Sequence, residues 1–267
     1  MKKNRPLAVI TGASSGIGAE YARRYADMGY DVFLVARREE LLKKLCSGLE
    51  EKHGITATYA IVELSDRSAV EKLTETISTM RNLEVIINNA GFATGVPEFE
   101  EGDIEGWVQM LNIHDEIPMR LIAAAIPMMK KRKKGTIINV SSIAGFFVGS
   151  VMYYSTKAFL TNFSESLALE LARHNIKVQA LCPGLTRTDF HKKLGWHDND
   201  PRYKEFMSVK DVVATSLRDI KKPWKTICIP GFKNKLLVGM AYLLPRRLLY
   251  TLIRYNKKKR FIHTISK

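Results

Sequence analysis

Tyr153 and Lys157, in the run Tyr153-Tyr154-Ser155-Thr156-Lys157, set a phenol four residues before an ammonium. A phenol titrates near ~10 and is a poor proton-transfer group at neutral pH. On a helix, side chains at i and i+4 share a face, and a neighbouring cation favours the phenolate. Such a pair suits acid–base work at the oxygen of a carbonyl or an alcohol. Alone, the same spacing also describes an alkyl stem packed on a ring. Tyr154 is a competing phenol, but the residue four positions after it is Ala158. The pair gains meaning from Thr11-Gly12-Ala13-Ser14-Ser15-Gly16-Ile17-Gly18, Asn88-Asn89-Ala90-Gly91 and Ser141-Ser142 earlier in the chain.

The run Gly12-x-x-x-Gly16-x-Gly18 follows a short apolar segment and opens a helical pattern. Glycine permits the tight turn and lets backbone approach a pyrophosphate. The helix N-terminus adds free N–H groups and a positive dipole end, so the loop predicts nucleotide binding. Its spacing differs from GxGxxG, with three residues between the first two glycines.

Short β-rich runs alternating with helical patterns must position these groups. Leu7 to Thr11, Asp31 to Ala36, Ile55 to Ile61, Glu84 to Asn88, Thr136 to Val140 and Lys177 to Leu181 read as strands. Helices are expected near 16–28, 39–52, 66–80 and 103–130, and from Tyr153 to about Arg173. In the second of these, Leu41, Leu42, Leu45 and Leu49 share one face. Ser65 or Asp66 is the expected cap of the third. Strands separated by helices imply right-handed crossovers. The expected fold class is therefore α/β: a doubly wound parallel (Rossmann) sheet with helices on both faces. One domain is expected over 1–230, with a cofactor half to about 140 and a catalytic half over 141–230. A basic amphipathic helical extension follows over 231–267. The polar segment 185–208 reads as a lid.

The chain has 267 residues, 46% hydrophobic and 26% charged, enough for a sizeable core. Cys46, Cys182 and Cys228 are too few and too widely spaced for a disulfide framework, which points to a reducing, cytoplasmic compartment. The basic start Met1-Lys2-Lys3 leads into an apolar run too short for a signal peptide. No stretch reaches the ~20 apolar residues of a spanning helix. The net charge is +15, and ten Lys/Arg with no Asp or Glu lie between Phe232 and Lys267. That clustering argues against a nucleic-acid partner. It leaves two readings of the tail: a docked helix with a solvated basic end, or peripheral contact with anionic membrane. His174, His191 and His197 lack metal-ligand spacing, and no metal is expected.

The motifs together resemble the short-chain dehydrogenase/reductase family, from Leu7 to about Thr188 and in family order. Thr11 to Gly18 is similar to its cofactor loop, and Asn88-Asn89-Ala90-Gly91 to its sheet-stabilising motif. Ser142 matches its catalytic serine, Tyr153 and Lys157 its Tyr-x-x-x-Lys, and Asn112 its catalytic asparagine. The resemblance implies that Tyr153 is the acid/base and that Ser142 orients the substrate oxygen. It implies that Lys157 depresses the tyrosine pKa and binds the nicotinamide ribose, and that Asn112 holds a relay water. It further implies cofactor contacts from Gly12, Ser14, Ser15, Gly16, Ile17 and Gly18, from Glu63 and Leu64, and from Asn89, Ala90 and Gly91. Pro183, Gly184, Thr186 and Thr188 join Tyr153 and Lys157 on the nicotinamide side. The gap from Ser142 to Tyr153 is two residues shorter than is common in the family. Glu63 stands where an aspartate is usual. The C-terminal Ile229-Pro230-Gly231 and Leu244-Pro245-Arg246-Arg247 are similar to one bacterial branch of unassigned members.

A carboxylate at the end of the second strand would select NAD. This chain has Ala36-Arg37-Arg38 there, and arginine forks match phosphate geometry. NADP(H), held chiefly by Arg37 with Arg38, is therefore the expected cofactor. The expected activity is interconversion of a small-molecule carbonyl and secondary alcohol. Phe92, Phe146, Phe147, Phe190 and Trp196 suggest an apolar substrate. The resemblance implies a homodimer or homotetramer built on helices near 103–130 and 153–173. The competing reading is a non-catalytic NADP(H)-binding sensor or scaffold.

Overall fold

The computed structural model describes residues 5–94, 99–192, 205–222, 225–248 and 250–251. Its strands are β1 (Leu7–Thr11), β2 (Asp31–Ala36), β3 (Ala57–Ile61), β4 (Leu83–Asn88), β5 (Gly135–Val140), β6 (Ile176–Leu181) and β7 (Ile227–Cys228). They form one parallel sheet in the order β3-β2-β1-β4-β5-β6-β7. The chain starts in the middle, winds outward to β3, then returns to place β4 beside β1. The crevice beyond the carboxyl ends of β1 and β4 is thus the switch point of a doubly wound sheet, where such folds take ligands.

The helices are α1 (Gly16–Asp27), α2 (Glu39–His53), α3 (Arg67–Thr79), α4 (Ile104–Leu111), α5 (Ile117–Arg132), α6 (Val151–Leu171), α7 (Asp189–Lys192), α8 (Val209–Asp219) and α9 (Phe232–Leu243). They cover both faces, because each central strand is buried on both. In β1, Ala8 and Ile10 pack with Tyr21, Leu42 and Val213 of α1, α2 and α8. The alternate residues Leu7 and Val9 pack with Leu73, Leu121 and Leu171 of α3, α5 and α6. This two-residue alternation into two cores is why the strands read as continuous apolar runs. Each fully buried Leu or Ile stabilises the fold by about 1.5–3 kcal/mol.

Asp66 caps α3, accepting from Ser68 N and Ala69 N. β7 is two residues long and was not anticipated: a run that short carries no periodicity. α8 lies in a stretch left without an element. Within the expected lid, α7 forms and Thr186 bridges Met207, while residues 193–204 lie outside the described residues.

Between α4 and α5 the helix passes through a π turn, Asn112–Glu116. Pro118 offers no N–H to the carbonyl four residues before it, so the regular ladder fails at His114. A wider i→i+5 turn bridges the fault, with Ile117 N–H donating to Asn112 O.

Candidate active site

α6 begins two residues before Tyr153 and carries Tyr153 and Lys157 on its first turns. Lys157 is buried, and its Nζ donates to Val140 O at 3.2 Å at the end of β5. The same Nζ lies 5.7 Å from the centroid of the half-buried Tyr153 ring. Burial pushes the Lys157 amine down to about 8, against the attraction of Asp115. Burial also pushes the Tyr153 phenol up to about 12, while its hydrogen bond with Ser142 pulls the other way. The expected depression by Lys157 is therefore not what this structure gives. Loss of water around the phenol dominates, and the neighbouring Tyr154 adds to the rise. At neutral pH the phenol carries its proton.

The two serines divide. Ser141 Oγ is committed inward, donating to Lys157 O at 2.8 Å and meeting Thr161 Oγ1 at 2.8 Å. Ser142 is half-buried; its Oγ accepts from Ala144 N at 3.1 Å and bonds the Tyr153 phenol. The short span to Tyr153 closes through glycine. A Cβ on Gly145 would sit 2.7 Å from Lys157 O, and one on Gly149 would overlap the Tyr154 ring.

His114, missed in the sequence, joins this cluster. It is 1% exposed, and its ring stands edge-on to Tyr153 with centroids 5.9 Å apart. Phe92 N–H donates to His114 Nε2 at 3.1 Å, so the ring proton must sit on Nδ1. Nδ1–H then donates to Thr156 Oγ1 at 2.9 Å, and Thr156 Oγ1 donates to Tyr153 O at 3.0 Å. Three consecutive bonds thus tie the loop after β4 to the backbone of Tyr153. Burial and the nearby Lys157 hold His114 well below its usual pKa, so it stays neutral. Gly91 makes room: a Cβ there would lie 2.9 Å from His114 Nε2. Asp115, next in the turn, is buried with Oδ1 unpartnered, and burial pushes its carboxyl up to about 7 against the pull of Lys157.

Asn112, expected to serve a relay water, opens the π turn, half-buried. Residues two apart on a helix do not share a face. The turn brings His114 to Tyr153. Asn112 makes no side-chain hydrogen bond among the described residues. The signal for His114 was Pro118: a proline four residues on marks a broken turn in an otherwise helical run.

The glycine loop is fitted to backbone approach. Gly12 and Gly16 have φ of 64° and 57°, in the left-handed region. A Cβ on Gly18 would lie 2.5 Å from Gly12 O, and one on Gly12 would lie 2.7 Å from Asn89 Nδ2. Asn89 Nδ2 donates to Thr11 O and Gly12 O at 3.0 and 3.1 Å, while Asn89 N and Ala90 N donate to Thr11 Oγ1. Asn89 shapes the loop, and Asn88 braces the sheet, donating to Asn139 Oδ1 at 2.8 Å. Ile17 packs against the core, as does Leu64 on the opposite face.

Arg37 and Arg38 behave differently. Arg37 pairs with Glu63 at 3.1 Å. Arg38 reaches over the loop, its guanidinium donating to Ser14 Oγ and Ser15 Oγ, and pairs with Asp189 at 3.3 Å. Arg38, not Arg37, thus stands at the glycine loop. On the far side, Thr186 Oγ1 donates to Gly184 O at 2.9 Å, and Thr188 faces Gly16. Pro183 O accepts from Ile143 N at 3.0 Å. A backbone cradle that any Cβ would fill, a helix N-terminus and an arginine fork fit a phosphorylated dinucleotide. A groove of about 850 Å³ between α1 and α2 shares Ser14, Ser15, Gly16 and Asp189 but touches none of Ser142, Tyr153 or Lys157.

Phe190 lies 5.9 Å from Tyr153, Phe92 6.0 Å from His114, and Phe146 5.9 Å from Tyr242 of α9, centroid to centroid. Phe147 is half-buried, and Trp196 and His197 lie outside the described residues. Among the described residues no group of side chains is arranged to hold a metal ion.

A glycine cradle at a sheet switch point, beside a protonated phenol backed by a buried amine, defines a dinucleotide-dependent oxidoreductase. The family model for short chain dehydrogenases matches residues 6–199, and the chain belongs to that family. It is 28% identical over 233 residues to an NADP-dependent 3-hydroxy acid dehydrogenase of Salmonella typhi, covering 85% of this chain and 91% of that one. Its structure is similar to a short-chain dehydrogenase from Sphingobium yanoikuyae in complex with NADPH. The TM-score is 0.80 at 31% identity, covering 88% of this chain and 93% of the other. It also resembles a bulky-bulky ketone specific alcohol dehydrogenase from Comamonas testosteroni, with TM-score 0.77, 29% identity and 90% and 93% coverage. The protein is an oxidoreductase of alcohols and carbonyls using a nicotinamide dinucleotide.

Proposed function

We propose that this enzyme uses NADP(H) to interconvert a ketone and a secondary alcohol, with Tyr153 as the acid/base. The observation that carries the reading is the protonated Tyr153 phenol, bonded by Ser142 and backed by Lys157. The nicotinamide, when bound, supplies or accepts hydride at the substrate carbon. In reduction, Tyr153 gives its proton to the oxygen as charge develops there. Ser142 donates a hydrogen bond to the same oxygen and fixes its direction. Lys157 returns a proton toward the phenol. His114 holds Tyr153 through Thr156. In oxidation each proton moves the other way.

Arg38 at the loop and Arg37 beside it support a preference for the 2′-phosphate of NADP(H). The test is the ratio of kcat/KM for NADPH to that for NADH. A ratio above one that collapses in Arg38→Ala supports the preference, and a ratio below one overturns it. The aromatic rings around Tyr153, and the names of the two relatives above, favour an apolar ketone or a 3-oxo acid. An NADPH-consumption screen across ketones, aldehydes and 3-oxoacyl thioesters tests this, and no turnover on any of them would overturn the reading. Exposed Ile104, Val108 and Leu111 around α4, with Phe159 and Leu169 on α6, support a homo-oligomer through those helices, testable by light scattering. Three free, buried cysteines suit a cytoplasmic setting.

A further inference from the structure

α9 carries an apolar face that the fold leaves uncovered. Phe232, Leu236, Met240 and Leu243 are 81%, 56%, 45% and 86% exposed. At ~100° per residue they fall within an arc of roughly 80° on the helix. Lys233 and Lys235, both exposed, flank that arc on its two sides. The opposite side docks on the protein: Val238 is buried, and Asn234 Nδ2 donates to Pro230 O at 2.7 Å and touches Gly184. The helix is therefore held in place by one face while the other, apolar in the centre and cationic at the edges, looks outward. Just beyond it, Arg246 and Arg247 are exposed with Leu248.

We infer that this face seats α9 flat on an anionic lipid surface. The occupant follows from charge. Residues 232–267 contain ten Lys/Arg and no Asp or Glu. A second copy docked face to face would set Lys233, Lys235, Arg246 and Arg247 against themselves. An anionic headgroup layer meets the flanking cations while its acyl region accepts the apolar arc. The helix cannot insert across the bilayer, since among the described residues no helix is long and apolar enough to cross one. Tyr242 of α9 packs on Phe146, four residues from Ser142, which sets the helix beside the active site.

The test is co-sedimentation of the full chain with vesicles of phosphatidylcholine alone or mixed with phosphatidylglycerol. Binding is expected to the mixed vesicles only, and to weaken with salt. Leu236→Glu with Leu243→Glu should cut it at least about tenfold, the effect of one lost apolar anchor or more. Reductase turnover of a water-soluble ketone should stay unchanged, which separates this surface from the catalytic reading. Undiminished vesicle binding by the double variant overturns the inference, as does equal binding to both vesicle types. A fall in oligomeric mass in the variant, without loss of vesicle binding, would assign the face to self-association instead.

Discussion

His114→Ala removes the centre of the three-bond tie between the loop after β4 and Tyr153. It deletes the Phe92 N–H bond at 3.1 Å and the Thr156 bond at 2.9 Å. Each contributes about 1 kcal/mol net, and a partly buried amide left without an acceptor costs about 1 kcal/mol more. The stability loss should thus be roughly 3 kcal/mol. Thr156 keeps its 3.0 Å bond to Tyr153 O, so α6 should persist. What changes is the precision with which the phenol is held. A misplacement near 1 Å costs up to about 100-fold in rate, so kcat should fall roughly 10–100-fold, with cofactor KM changing less than about threefold. His114→Asn retains one donor and one acceptor and should recover part of kcat. The imidazole must be neutral to accept from Phe92, and the charged or titrating groups around it are Lys157, Asp115 and Tyr153. Because its pKa lies well below 6.5, the native enzyme should lose activity only in distinctly acid solution. That acid limb should vanish in His114→Asn. Steady-state NADPH oxidation and thermal unfolding together measure these effects. An alanine variant with native kcat would refute the tie.

Asp115 titrates near about 7 in the folded chain and near 3.8 unfolded, so folding binds a proton in that window. Stability should therefore fall as pH rises from about 4 to 7, and Asp115→Asn should remove that fall, by about 4 kcal/mol at most, in urea unfolding across pH. Gly18→Ala forces a Cβ to 2.5 Å from Gly12 O. It should cost about 1–3 kcal/mol and weaken NADPH binding at least tenfold by fluorescence titration, while unchanged affinity would dismiss the cradle. With the phenol near about 12, its base form is scarce. Alcohol oxidation should accelerate with pH through the neutral range, whereas reduction should not, as paired initial-rate profiles would reveal.

Much of this was legible in the residues. The apolar runs gave the first six strands to within two residues, because the central strands, buried on both faces, show no polar alternation to mislead. Gly12, Gly16 and Gly18 announced a loop that only glycine can form. The Tyr153–Lys157 spacing was legible because it lies within one helix, which the fold keeps. His114 was not, since its role depends on a π turn that rotates it by an amount no regular period describes. The sequence put Arg37 ahead of Arg38, and only the fold shows that Glu63 engages the first while Ser14 and Ser15 meet the second. The phenol's pKa was misjudged for a related reason. Charge proximity can be read from i,i+4 spacing, but the depth of burial that raises the phenol cannot.

The most direct test is single-turnover hydride transfer from bound NADPH to a ketone by Tyr153→Phe. The ring, its packing and the cofactor cradle all remain, and only the proton donor is lost. The transfer rate should drop about 100-fold or more while NADPH affinity stays within a few-fold of native. Transfer at the native rate would contradict the assignment of Tyr153 as the acid.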